Sequence, residues 1–116
     1  MGETQADKLP GGQRLVAYGI YTRHTAKPGQ RDGLVANLLR AADLLQGNPD
    51  CIHWVVNTTD DPNVVWISVV WASKEAHDAA LQPENMRALI GEARQFLSED
   101  VMPEQIFVTP VGGKGL

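Results

Sequence analysis

Residues 64–71 (VVWISVVW) are apolar at both odd and even positions. Successive side chains of a β-strand point to opposite faces. A strand with this pattern therefore needs cover on two sides, unlike the alternating strands of a sheet with one wet face. Residues 58–63 (TTDDPN) form a polar turn before it, and residues 51–57 (CIHWVVN) form a preceding strand. Such a short turn pairs the two strands antiparallel. With Asn57 opposite Val64, Ile52, Trp54 and Val56 share a face with Val65, Ile67, Val69 and Trp71. The other face carries Cys51, His53, Val55 and Asn57 beside Val64, Trp66, Ser68 and Val70. The first face is wholly apolar and is assigned to helices.

Four further segments complete the plan. Residues 15–24 alternate as a strand, with Tyr18, Ile20 and Thr22 on one side and Ala17, Gly19 and Tyr21 on the other. From residue 30 to about residue 45, Leu34, Val35, Leu38, Leu39, Ala42 and Leu45 recur at helical spacing, and Gly47, Asn48 and Pro49 stop that helix. Ser73 stands where an N-cap belongs and Glu75 falls in the first turn, which starts a short helix to about residue 81. Pro83 interrupts it. A second piece runs over residues 84–97 with Met86, Leu89, Ile90, Ala93 and Leu97 on one side, and residues 104–111 form the last strand. The order is βαββαβ: an α+β, ferredoxin-like fold with a four-stranded antiparallel sheet. Its helices all cover one face. The other face retains Val55, Val64, Trp66 and Val70, a larger apolar patch than a monomer usually exposes. A second copy packed sheet against sheet covers it. At ~25 cal/mol per Å², an interface of about 800 Å² per partner carries ample driving force. The chain is expected to be a homodimer. Residues 1–13 and 112–116 read as flexible tails flanking a domain at 14–111.

At 116 residues there is room for one domain. The formal charge of -4, with no Lys/Arg stripe, argues against nucleic acid and anionic membrane as partners. No apolar run approaches the roughly 20 residues of a membrane span, and the N-terminus lacks a signal-peptide pattern. A cytoplasmic location is expected. The single cysteine, Cys51, excludes an internal disulfide and fits a reducing compartment; a small apolar strand residue is its plainer role. His24, His53 and His77 lie far apart in sequence, with no HxxxH or CxxC, no GxSxG and no GxGxxG after a strand. Neither a metal nor a cofactor is expected.

What remains for chemistry is aromatic and apolar. Trp54 and Trp71 share the helix side of the sheet, His77 follows Trp71, Tyr18 and Tyr21 come from the first strand, and Arg87 and Arg94 lie two turns apart on the last helix. Such a set lines a pocket for a flat aromatic ligand between sheet and helices, or the tryptophans are core and His77 and the arginines are solvated.

The stretch from Asn48 to Leu81 resembles the antibiotic biosynthesis monooxygenase domain. The resemblance is carried in order by Pro49-Asp50-Cys51, Trp54, Asp61-Pro62 and Trp71-Ala72-Ser73-Lys74-Glu75-Ala76, with AKPGQRDGLV at the start of the first helix. It covers about residues 15–111. It implies a dimeric α/β-barrel of ferredoxin-like protomers. It also implies oxygenation of quinols or polyketide phenols without metal or flavin, the substrate supplying electrons to O₂. By position, Trp71 matches the tryptophan lining the family's pocket, His77 falls near a polar pocket residue, and Arg87 or Arg94 matches an arginine that steadies a phenolate. Where many members carry polar residues, this chain has Ile67, Val69, Ala80 and Asn85-Met86, so its pocket is greasier. The helix histidine of haem-degrading relatives is missing around Ile90.

The expected function is therefore a cofactor-independent monooxygenase acting on a quinol or polyphenolic aromatic with O₂. His77, Arg87 and Arg94 are the catalytic candidates. Trp54, Trp71, Ile67, Tyr21 and Met86 are the substrate-binding candidates. The alternative is a non-catalytic aromatic-ligand-binding or dimerisation module on the same fold. A polyketide isomerase or cyclase is a third reading.

Overall fold

The computed structural model describes residues 17–116; the expected tail at 1–13 lies outside them. In chain order the elements are β1 (Tyr18–Thr25), α1 (Arg31–Leu44), β2 (Cys51–Thr58), β3 (Val64–Trp71), α2 (Lys74–Ala80), α3 (Glu84–Ala93) and β4 (Glu104–Val108). They form one antiparallel sheet in the order β2-β3-β1-β4. This is the expected βαββαβ plan with its second helix in two pieces.

The apolar strand β3 keeps its predicted limits and lies centrally, paired on both edges. Its helix side is buried: Val65, Ile67, Val69 and Trp71 join Ile20, Leu34, Leu38, Ala41, Leu45 and Met86 in one core. Ser73 caps α2, its Oγ accepting the Ala76 N–H at 3.0 Å from an extended backbone. Helix α1 is tied to α3 by the buried Asn37, whose Nδ2 donates to Leu89 O at 2.9 Å and Glu92 Oε2 at 3.1 Å. Arg40 pairs with the same Glu92 carboxylate. Gly33 lets α1 approach the chain beyond α3, since a Cβ there would lie 2.4 Å from the Phe96 ring.

Several boundaries and one register differ from expectation; among them, β2 takes in Thr58 from the predicted turn, and β1 begins at Tyr18, leaving residue 17 outside it. Helix α3 ends at Ala93 rather than Leu97. The chain after it is recruited to the end of β1, where Lys27 N–H donates to Phe96 O and Ser98 N–H donates to Thr25 O, both at 2.8 Å. Strand β4 ends at Val108 rather than Val111, because Pro110 has no N–H to offer a ladder. Strand β1 runs one residue further, to Thr25. Asn57 faces Trp66, not Val64. That offset is even, so most side chains keep their assigned faces.

The exceptions are Cys51 and Ile52. The register shifts between Cys51 and His53, so Ile52 is the extra residue of a bulge. Cys51 consequently pairs with Trp71 and packs on the core, while Ile52 is 37% exposed. Burial raises the Cys51 thiol pKa, which makes it a poor nucleophile.

On the open face, Val55, Ser68, Tyr21 and Ile106 form one cross-strand row, and Asn57, Trp66, Arg23 and Glu104 another. Val55, Tyr21 and Ile106 are exposed. The C-terminal segment lies over another part of this face: Val111, Gly112 and Leu116 share a cavity wall with Tyr21, His53 and Val70. The helical layer stops short of β4, where Phe107, on the helix side opposite Ile20, is 58% exposed.

Candidate functional site

Between the sheet and the helices lies a cavity of about 310 Å³. Register explains its sheet wall. Trp54, Val69 and Ile20 form one helix-side row, and Ile67 and Thr22 the next, continued by Gln105. Helix α1 supplies Asn37, Leu38 and Ala41; α3 and its extension supply Met86, Leu89, Ile90, Ala93, Arg94 and Leu97. Trp54 is fixed there by its Nε1–H, which donates to Leu38 O at 3.2 Å.

His77 reaches the cavity from α2. Its ring packs on Tyr18 at 5.4 Å and edge-on against Trp71 at 5.8 Å between centroids. Its Nδ1 lies 2.9 Å from Asp78 Oδ1. Lys74, 2.8 Å from the other Asp78 oxygen, and secondly His77 hold the Asp78 carboxyl below the usual carboxylate range. An ionised carboxylate only accepts, so Nδ1 carries the proton. In the neutral ring Nε2 is then the basic nitrogen.

The predicted site residues separate into two groups. Trp54, Ile67, Met86, His77 and Arg94 line one cavity. Trp71 does not: it is 0% exposed and acts as the floor under His77. Arg87 is exposed and outside the lining, whereas Arg94, the C-cap of α3, stands where the chain turns back towards the sheet. Tyr21 is on the opposite face, because strand alternation sends it away from Ile20 and Thr22; it borders the cavity beneath the C-terminal segment instead. Among the described residues, no group of three or more His, Cys, Asp or Glu side chains is placed to hold a metal. None of their helices is long and apolar enough to cross a membrane.

Sequence reasoning missed His24, Thr22, Asn37 and Gln105, polar side chains of the same lining. Alternation along β1 puts Thr22 and His24 on the same side as Ile20, which the structure shows to be the helix side. His24 Nδ1 is buried with no hydrogen-bond partner among the described residues. Burial also holds the ring's pKa below the free-imidazole value of 6.5, because desolvation disfavours the cation. The unfolded chain therefore takes up this proton at higher pH than the folded one. Stability is lost as pH falls from that value towards the folded one, at no more than about 1.4 kcal/mol per pH unit. Thermal denaturation over this range is expected to show that loss in the native chain, and a shallower slope in His24→Leu.

Comparison with known proteins agrees with this architecture. The sequence model of the antibiotic biosynthesis monooxygenase family matches residues 17–92. A solved protein of Chloroflexus aurantiacus J-10-fl, provisionally described as an antibiotic biosynthesis monooxygenase, is 34% identical over 84% of this chain and 95% of its own, with a TM-score of 0.73. SnoaB of Streptomyces nogalater, a cofactor-independent oxygenase solved as its N63A mutant, shares the fold at 15% identity. That alignment covers 84% of this chain and 96% of SnoaB, with a TM-score of 0.68. Among curated protein sequences there is no match. A family match over most of the folded chain, joined to a relative one-third identical along nearly its whole length, places this protein in the antibiotic biosynthesis monooxygenase family.

Proposed function

We propose that the protein is a cofactor-independent monooxygenase whose cavity binds a flat quinol or polyphenol. The observation that carries this reading is the His77–Asp78 pair at a mostly apolar cavity: a carboxylate fixes the tautomer and leaves Nε2 as a base. Arg94 on the same lining supplies positive charge for a phenolate. SnoaB, which shares the fold, is a cofactor-independent oxygenase. In the proposed reaction, His77 takes a proton from the substrate and the resulting anion gives electrons to O₂. For an anthrone, the ring CH₂ becomes C=O; one oxygen atom enters the product and the other leaves as water. The protein's part is to bind the ring, hold the proton and steady the anion. The test is O₂ uptake with anthrone and dihydroxynaphthalene, with and without His77→Ala. No uptake across such a panel overturns the oxygenase reading. Ligand binding without uptake favours the second reading, an aromatic-binding module, to which the apolar Ile67 and Val69 wall lends support.

The open face is the proposed seat of a second copy. Exposed Tyr21, Val55 and Ile106, with Trp66 in the adjoining row, give it an apolar centre. Sedimentation is expected to show a dimer, and Val55→Glu to dissociate it. A monodisperse native monomer at micromolar concentration contradicts this.

A further inference from the structure

Resting on the cavity reading above, we propose that His24 holds the ligand, its Nε2 hydrogen-bonding a second hydroxyl or carbonyl at the end of the cavity away from His77. The helix side of β1 presents Tyr18, Ile20, Thr22 and His24 in that order, opposite Trp71, Val69, Ile67 and Val65. His77 packs over the Tyr18–Trp71 end. His24 lines the same cavity from the other end of the strand. Between them the wall is mostly apolar, formed by Ile20, Val69, Ile67 and Trp54. A ligand seated along it meets one imidazole at each end.

The two imidazoles differ in how they are held. The Asp78 carboxylate fixes His77 as a base. His24 has no such partner among the described residues: its Nδ1 is sealed from solvent and unpaired, so Nε2 is the nitrogen left to serve a ligand. Burial favours the neutral ring, and a neutral ring accepts or donates according to its tautomer. It therefore takes a hydroxyl or a carbonyl oxygen without demanding an anion. The ligand class is an aromatic with oxygen substituents at two separated positions.

Glutamine and asparagine separate the two ring nitrogens, because a Gln side chain reaches the place of Nε2 and an Asn side chain that of Nδ1. Binding is read by quenching of tryptophan fluorescence, since Trp54 lines the cavity. The probes are a dihydroxynaphthalene with one hydroxyl on each ring, and naphthol. Loss of one hydrogen bond corresponds to roughly tenfold in affinity. His24→Leu and His24→Asn are expected to weaken dihydroxynaphthalene binding about tenfold, His24→Gln to stay within about threefold of the native chain, and naphthol binding to change little in all three. Unchanged binding of both probes overturns the proposal. Equal loss of both does too, since that marks a purely structural role, as does rescue by Asn and not Gln. If His24→Leu fails to fold, the Gln–Asn contrast decides. A native chain that binds neither probe overturns this proposal together with the cavity reading. One that binds both without O₂ uptake sinks the oxygenase reading alone.

Discussion

Replacing Trp71 by alanine is expected to cost about 3–5 kcal/mol of folding stability, the range for deleting a buried aromatic side chain. Trp71 is among the largest fully buried side chains. It pairs with Tyr18 on one side and Cys51 on the other, so the cavity left behind would sit where three strands meet. A domain of this size has ~5–15 kcal/mol in total, so the loss is a large fraction of the whole. Trp71→Phe is expected to be milder. Its smaller ring leaves less void, and it removes the indole Nε1–H, which has no hydrogen-bond partner among the described residues. Urea denaturation of the three proteins checks the order. An alanine variant within about 1 kcal/mol of native would mean that the floor of the site does not depend on this residue.

His77→Ala is expected to lower turnover of a quinol by about 10²–10⁴-fold, the usual range for a positioned acid or base. Ligand affinity should move far less, because most of the lining is untouched. Asp78→Asn tests the same pair from the other side. It keeps a hydrogen-bonding group beside Nδ1 but removes the charge, so an intermediate loss of turnover is expected. Steady-state O₂ consumption, with affinity measured separately, resolves the two effects. Native turnover in His77→Ala excludes the ring as the proton acceptor.

The fold was readable because its strongest signals are redundant. Strand β3 is apolar at both parities, and Ser73 pairs an extended cap with a bonded Ala76 N–H. The observed register differs from the expected one by two residues, and an even slip preserves the alternation on which Trp54, Ile67 and Val69 depend. The bulge was not readable. Nothing in Cys51, Ile52 and His53 announces an added residue, and one residue suffices to exchange Cys51 and Ile52 between faces. The two arginines are distinguished by where α3 ends, which is set by the Lys27 and Ser98 hydrogen bonds to a distant segment. His24 is not legible as a site residue from sequence, because a lone histidine near a strand end carries no motif. Its place in the cavity comes from the return of residues 93–97, which brings Leu97 against Ala26 and walls in the cavity.

The helical roof reaches only part of the sheet and leaves the flank at Gln105 and Phe107 uncovered. A doorway of this kind needs no hinge. If the cavity takes a ligand as proposed, exchange beside β4 is expected to leave α1 and α3 clasped by Asn37, Glu92 and Arg40. Its rate is then expected to follow diffusion and the greasiness of the passage, rather than the slower lid motions that govern release in many enzymes.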